Sequence, residues 1–156
     1  MDSDDFRITN DIVVVYKLVI EAQKIVYSNQ IKYYFLKHRN SVTTKGYEDF
    51  ERSKDFYIAT IERYNNIKKI YPDFLENKLG VLKHIVKLFV LENPQIEKYI
   101  IEQNGLQLFK KLFSLRMFKC HIAFKEKIKI LLFAINPKLC KYINKKYQSN
   151  NKIYKI

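Results

Sequence analysis

Apolar positions Ile12, Val15, Val19 and Ala22 follow a candidate N-cap at Thr9 or Asn10 in steps of three and four, with Lys17 and Glu21 opposite. That spacing predicts a short helix. The β-branched run Val13-Val14-Val15 works against it, because such side chains lose rotamer freedom in a helix. Lys24-Ile25-Val26-Tyr27 and Ile31-Lys32-Tyr33-Tyr34-Phe35-Leu36 are β-branched and aromatic runs parted by Ser28-Asn29-Gln30, and they predict two short strands within 24–37. A lone ribbon is marginal in water, so this pair is expected to rest on the first helix. Asn40 to Gly46 is a polar, hydroxyl-rich loop.

Everything after Gly46 carries helical periodicity. Phe50, Tyr57, Ile61, Tyr64 and Tyr71 mark one stripe, which Pro72 ends because proline has no N–H to continue the helix. Leu75, Leu79, Leu82, Ile85, Val86 and Phe89 mark a second. A third opens at Asn93-Pro94, runs through Ile101 and is expected to close at Gly105. Leu108, Phe109, Leu112 and Phe113 form a basic amphipathic turn and a half. Phe124, Ile128, Leu131, Leu132 and Ile135 form another, stopped by Asn136-Pro137. The last helix sets Leu139, Cys140, Ile143 and Tyr147 against Lys138, Lys141, Lys145 and Lys146. The expected fold is mostly α, with about six helices and a two-stranded β remnant near the N-terminus. Its expected divisions are 1–46, a helical region at 47–104 and a basic helical tail at 105–156.

Composition supports a folded chain: 156 residues with 47% apolar and 15% aromatic side chains suffice to bury a core. Three glycines and three prolines are too few for the turns of a many-stranded barrel. Cys120 and Cys140 lack metal-ligand spacing and predict reduced, buried thiols in a cytosolic protein. The uncharged run Ile130 to Pro137 covers eight residues, whereas a bilayer span needs about 20. The acidic start Met-Asp-Ser-Asp-Asp is unlike a secretory signal.

Charge is concentrated at one end. Residues 1–104 hold 16 Lys+Arg against 15 Asp+Glu, whereas residues 105–156 hold 13 Lys+Arg against one acid, Glu126. A nucleic-acid-binding tail would be polar between its charges. Here lysines alternate with large aliphatic side chains at helical spacing, which favours an anionic membrane surface over nucleic acid. On this reading residues 106–147 lie against the membrane's cytoplasmic face. Their apolar contacts are Leu112, Phe113, Phe124, Ile128, Leu131 and Ile135; Lys110, Lys111, Lys119, Lys125, Lys129, Lys138, Lys141 and Lys145 supply the charge. The competing arrangement packs those apolar faces on the helices at 47–104.

One cluster looks chemical on its own terms: Asp2-Ser3-Asp4-Asp5 followed by Asn10-Asp11. Closely spaced carboxylates suit Mg²⁺ or Mn²⁺, and acidic residues ahead of a helix also satisfy its N-terminal dipole. His38, His84 and His121 are scattered, and His84 is expected at a solvated helix position. No glycine loop for phosphate and no nucleophile with a recognisable partner occurs.

The order Asp-Ser-Asp-Asp, Asn10-Asp11-Ile12, Tyr16-Lys17-Leu18, Lys24 to Tyr27, Tyr33-Tyr34-Phe35 and Arg39-Asn40-Ser41-Val42 resembles the C-terminal part of bacterial family 2 glycosyltransferases, which have the A-type glycosyltransferase fold. Ile70 to Phe74 and Ile135 to Leu139 resemble the helical tail of members that build capsular or other surface polysaccharides. The resemblance implies that residues 1–46 are a remnant of the catalytic domain. It implies a divalent metal, Mg²⁺ or Mn²⁺, on Asp2 and Asp4 or Asp5, a general base at Asp11, and donor phosphates near Arg39 and Ser41. The implied partners are a nucleotide-sugar and a lipid-linked acceptor. The family's nucleotide-binding half precedes the Asp-x-Asp element, so the chain is expected to be a distal fragment without activity alone.

Overall fold

Asp49 starts the longest run of the structure by accepting a hydrogen bond from the Arg52 backbone N–H at 3.0 Å, which satisfies one of the donors a helix start leaves open. The computed structural model describes residues 10–26, 30, 49–91 and 93–153. Over these residues the protein is mostly α-helical, with seven helices and no strand. They are α1 (Asn10–Glu21), α2 (Phe50–Ile70), α3 (Leu75–Phe89), α4 (Pro94–Glu102), α5 (Gly105–Leu112), α6 (Phe124–Ile135) and α7 (Pro137–Ile153), with a 3-10 turn at Leu115–Lys119 between α5 and α6. Of the two expected strands, Lys24, Ile25 and Val26 are described and are not in a strand. Tyr27 and Ile31 to Leu36 lie outside the described residues.

The helix limits follow local chemistry. Pro72 stands just past α2, and Asn93 caps α4 by accepting from the N–H groups of Gln95 and Ile96 with Pro94 at the first helical position. The third helix of the 47–104 region was expected to close at Gly105. Asn104 closes it instead, in the left-handed conformation at φ 55°, and Gly105 is the first residue of α5. Asn tolerates that conformation because its short polar side chain offsets part of the steric cost.

α3 is the centre of the bundle, packing against α2, α4, α5, α6 and α7. Val81, Leu82, Ile85, Leu88 and Phe89 are buried around it, and Phe109, Ile130 and Phe133 close the core from α5 and α6. Asn77 pins α3 to α2 through a hydrogen bond to the Tyr64 carbonyl at 3.1 Å. Burial pushes the Tyr57 hydroxyl's pKa up to about 12.

Gly105 is required by packing. A Cβ there would lie 2.5 Å from Ile100 Cγ2 and 2.9 Å from the Ile100 carbonyl oxygen, and the carbonyl belongs to a helix that cannot shift alone. Gly105→Ala is therefore expected to destabilise the protein by about 1–3 kcal/mol despite alanine's better helix propensity. Urea unfolding measures this; an unchanged or raised midpoint would refute the close α4–α5 approach.

α1 meets the bundle by a different face from the one its pattern predicts. Val15, Val19 and Ala22 are exposed, and Tyr16 is the buried contact. The Tyr16 hydroxyl donates to Glu62 at 3.2 Å and accepts from the Asn66 amide at 2.8 Å, while Lys17 pairs with Glu62 at 3.0 Å. A polar lock, not an aliphatic stripe, sets the orientation of this helix on α2.

Candidate functional site

The residues singled out for chemistry are not assembled within the described structure. Asp2, Asp4, Asp5, Arg39 and Ser41 lie outside the described residues. Asp11 stands in the first turn of α1, where only its backbone is described. Among the described residues no group of three or more His, Cys, Asp or Glu is placed to hold a metal ion. The aspartates that would hold Mg²⁺ or Mn²⁺, Asp2, Asp4 and Asp5, are outside that set.

The described surface offers a basic apolar face on α6 and α7. Along α6, Phe124, Ile128, Leu131 and Ile135 are exposed at steps of four, three and four, so they share one side of the helix. Ile130 and Phe133 on the opposite side fill the core. α7 repeats the arrangement. Leu139, Tyr142, Ile143 and Tyr147 are exposed, whereas Cys140 is buried with its thiol 3.6 Å from the Lys129 carbonyl. The Asn136 side chain accepts from the N–H groups of Lys138 and Leu139 at 3.0 and 3.1 Å, fixing where α7 begins and how it turns from α6.

The expected membrane residues divide. Leu112 is buried and Phe113 is partly buried against the core, so α5 belongs to the bundle. Phe124, Ile128, Leu131 and Ile135 remain on the surface. Cys140, expected on the same side as Leu139, Ile143 and Tyr147, faces inward instead. Of the lysines, Lys129 lies 3.8 Å from Glu126, and Lys141 pairs with Glu97 of α4. Lys110, Lys111, Lys119, Lys125 and Lys138 are exposed and make no ion pair among the described residues. Lys125 and Lys138 directly flank the apolar positions of α6 and α7.

His84 also departs from expectation. Its ring is half-buried beside Phe56, with ring centroids 6.4 Å apart and Nε2 out of solvent, and is not a solvated helix position. Burial, with the positive charges of Lys87 and Arg63 nearby, pulls its pKa down to about 4. The sequence signal for this was its spacing, three residues after Val81 and four before Leu88, both of which lie in the core. Both cysteines are buried free thiols, and burial pushes each thiol's pKa up. Among the described residues no helix is long and apolar enough to cross a membrane.

Comparison with protein-family models, with curated proteins and with solved structures returns no match to this chain.

Proposed function

We infer that this protein docks on an anionic membrane surface through the outer face of α6 and α7, at the inner side of the membrane. The observation that carries this is the exposed stripe Phe124, Ile128, Leu131 and Ile135, continued by α7 and flanked by lysines with no carboxylate partner among the described residues. Apolar side chains at helical spacing enter the headgroup boundary, while Lys side chains at its rim neutralise anionic lipid. Each lysine close to the surface contributes about 1 kcal/mol, which falls as salt screens it.

The chemistry served at that surface is proposed from the resemblance to family 2 glycosyltransferases: transfer of a sugar from a nucleotide-sugar to a lipid-linked or polysaccharide acceptor during surface-polysaccharide synthesis. An acceptor carried on a membrane lipid gives the docking face a purpose. In that role Asp11 would take the proton from the acceptor hydroxyl. Arg39 would present its planar fork to the donor phosphates, with Ser41 beside it. The supporting observation is the order of motifs from Asp2 to Val42. The second reading, a helical module without catalysis that binds membrane or a protein partner, draws on the same α6–α7 face and on no residue before α2.

Liposome flotation tests docking. The full chain is expected to float with vesicles containing phosphatidylglycerol at low salt, to stay behind with neutral vesicles, and to be released as salt rises. Phe124 and Ile135 are 75% and 77% exposed, so Phe124→Asp with Ile135→Asp should abolish flotation and leave the fold intact. A folded protein that remains soluble with anionic vesicles at low salt defeats the reading. Calorimetry with nucleotide-sugars and Mn²⁺ separates the two chemical roles. The chain alone is expected to bind them more weakly than ~10 µM, about −7 kcal/mol, and tighter binding would show a complete donor site. An upstream reading frame encoding a nucleotide-binding half would favour the glycosyltransferase role over the module.

A further inference from the structure

Behind the docking face, α3, α6 and α7 enclose a groove of about 620 Å³. α3 contributes Lys83, His84 and Lys87, α6 contributes Lys129 and Glu126, and α7 contributes Asn144. Among the described residues Glu126 is the one carboxylate lining it, and Lys129 is already 3.8 Å away. Gly80 forms part of the wall, and a Cβ there would lie 3.5 Å from Arg63 Nη2, so a guanidinium from α2 stands beside the rim. Lys83 and Arg63 make no ion pair among the described residues.

The geometry points to a phosphate-binding site in this groove, with Lys83 as the principal charged contact, Arg63 at the rim and the Asn144 amide as a neutral donor. Lys83 and Arg63 bring two positive charges without an ion pair among the described residues to one concavity, and a phosphate carries enough charge and acceptor oxygens to meet an ammonium, a guanidinium and an amide together. The volume exceeds that of one phosphate group. A phosphomonoester, a diphosphate or the headgroup of a phospholipid is accommodated, and the recognised chemistry is the same in each. The depressed proton affinity of His84, to which Lys87 and Arg63 contribute, agrees with an excess of positive charge here. This site is separate from the outer face of α6 and does not rest on the docking proposal.

Nuclear magnetic resonance of the imidazole and amide groups tests it on the full chain. Inorganic phosphate is titrated against sodium chloride at matched ionic strength. Phosphate is expected to shift the His84, Gly80 and Asn144 signals saturably and to raise the His84 pKa, whereas chloride leaves them in place. Lys83→Gln should weaken phosphate binding about tenfold, the loss expected for one charge-assisted contact. Lys125→Gln and Lys138→Gln, on the docking face, should leave it unchanged. Circular dichroism confirms that each variant is folded. Vesicles containing phosphatidic acid then identify the source. If Lys83→Gln lowers vesicle binding and inorganic phosphate competes, the ligand is a lipid headgroup. If vesicle binding ignores Lys83→Gln while the phosphate titration does not, the ligand is a free phosphorylated molecule. Equal responses to phosphate and chloride, or a titration indifferent to Lys83→Gln, overturn the proposal.

Discussion

Phe133→Ala is expected to remove about 3–5 kcal/mol of folding stability, a large share of the ~5–15 kcal/mol typical of a domain. Phe133 is 1% exposed and sits where three helices converge. Its ring meets Phe89 of α3 edge-on at 5.2 Å and Phe109 of α5 at 4.7 Å. Truncation forfeits the transfer energy of the ring and both aromatic contacts, and it leaves a void that neighbours on two separate helices, α3 and α5, cannot close together. Urea unfolding followed by circular dichroism reads the loss as a fall in midpoint at nearly constant slope. Phe133→Leu should recover more than half of it. A loss below ~1 kcal/mol for the alanine variant would mean that α6 does not pack through this residue. The same substitution bears on function, because Phe133 and Ile130 hold α6 with its stripe outward. A folded Phe133→Ala protein should therefore bind anionic vesicles less selectively.

Acid should destabilise the protein through His84. In the unfolded chain the imidazole titrates near 6.5, whereas in the bundle its pKa is pulled down to about 4, first by burial and then by the charges of Lys87 and Arg63. Between these values the unfolded state binds the proton and the folded state does not, so stability rises with pH across that window. The contribution is fully present above pH 6.5 and is lost as pH falls toward 4, amounting to about 3 kcal/mol. His84→Gln removes the linkage. Chemical unfolding of both proteins at pH 7.5 and 4.5 isolates it from carboxylate titrations common to both. The wild type is expected to lose about 2–3 kcal/mol more than the variant on acidification. Equal losses would place the imidazole in solvent, as the sequence alone predicts.

The helices after Gly46 were readable from the order of residues because their causes are local. Pro72 cannot continue α2, Asn93 and Asn136 offer side-chain oxygens to open N–H groups, and the apolar positions of α3 recur at a helical period. Periodicity also determined that α6 and α7 have apolar sides, and the lysine excess determined that a basic surface must exist. It could not determine which apolar side turns inward. α6 is apolar on two sides, and Ile130 and Phe133 face the core because Phe89 and Phe109 stand opposite them, leaving Phe124, Ile128, Leu131 and Ile135 outside. Only tertiary packing made that choice, as it did for Tyr16 on α1, where partners 46 and 50 residues away outweigh the aliphatic pattern. The same reason hid the phosphate groove and the partly buried state of His84. Lys83, Arg63, Lys129 and Asn144 share no motif in the sequence, and they meet because α3 lies at the centre of the bundle with α2, α6 and α7 folded against it.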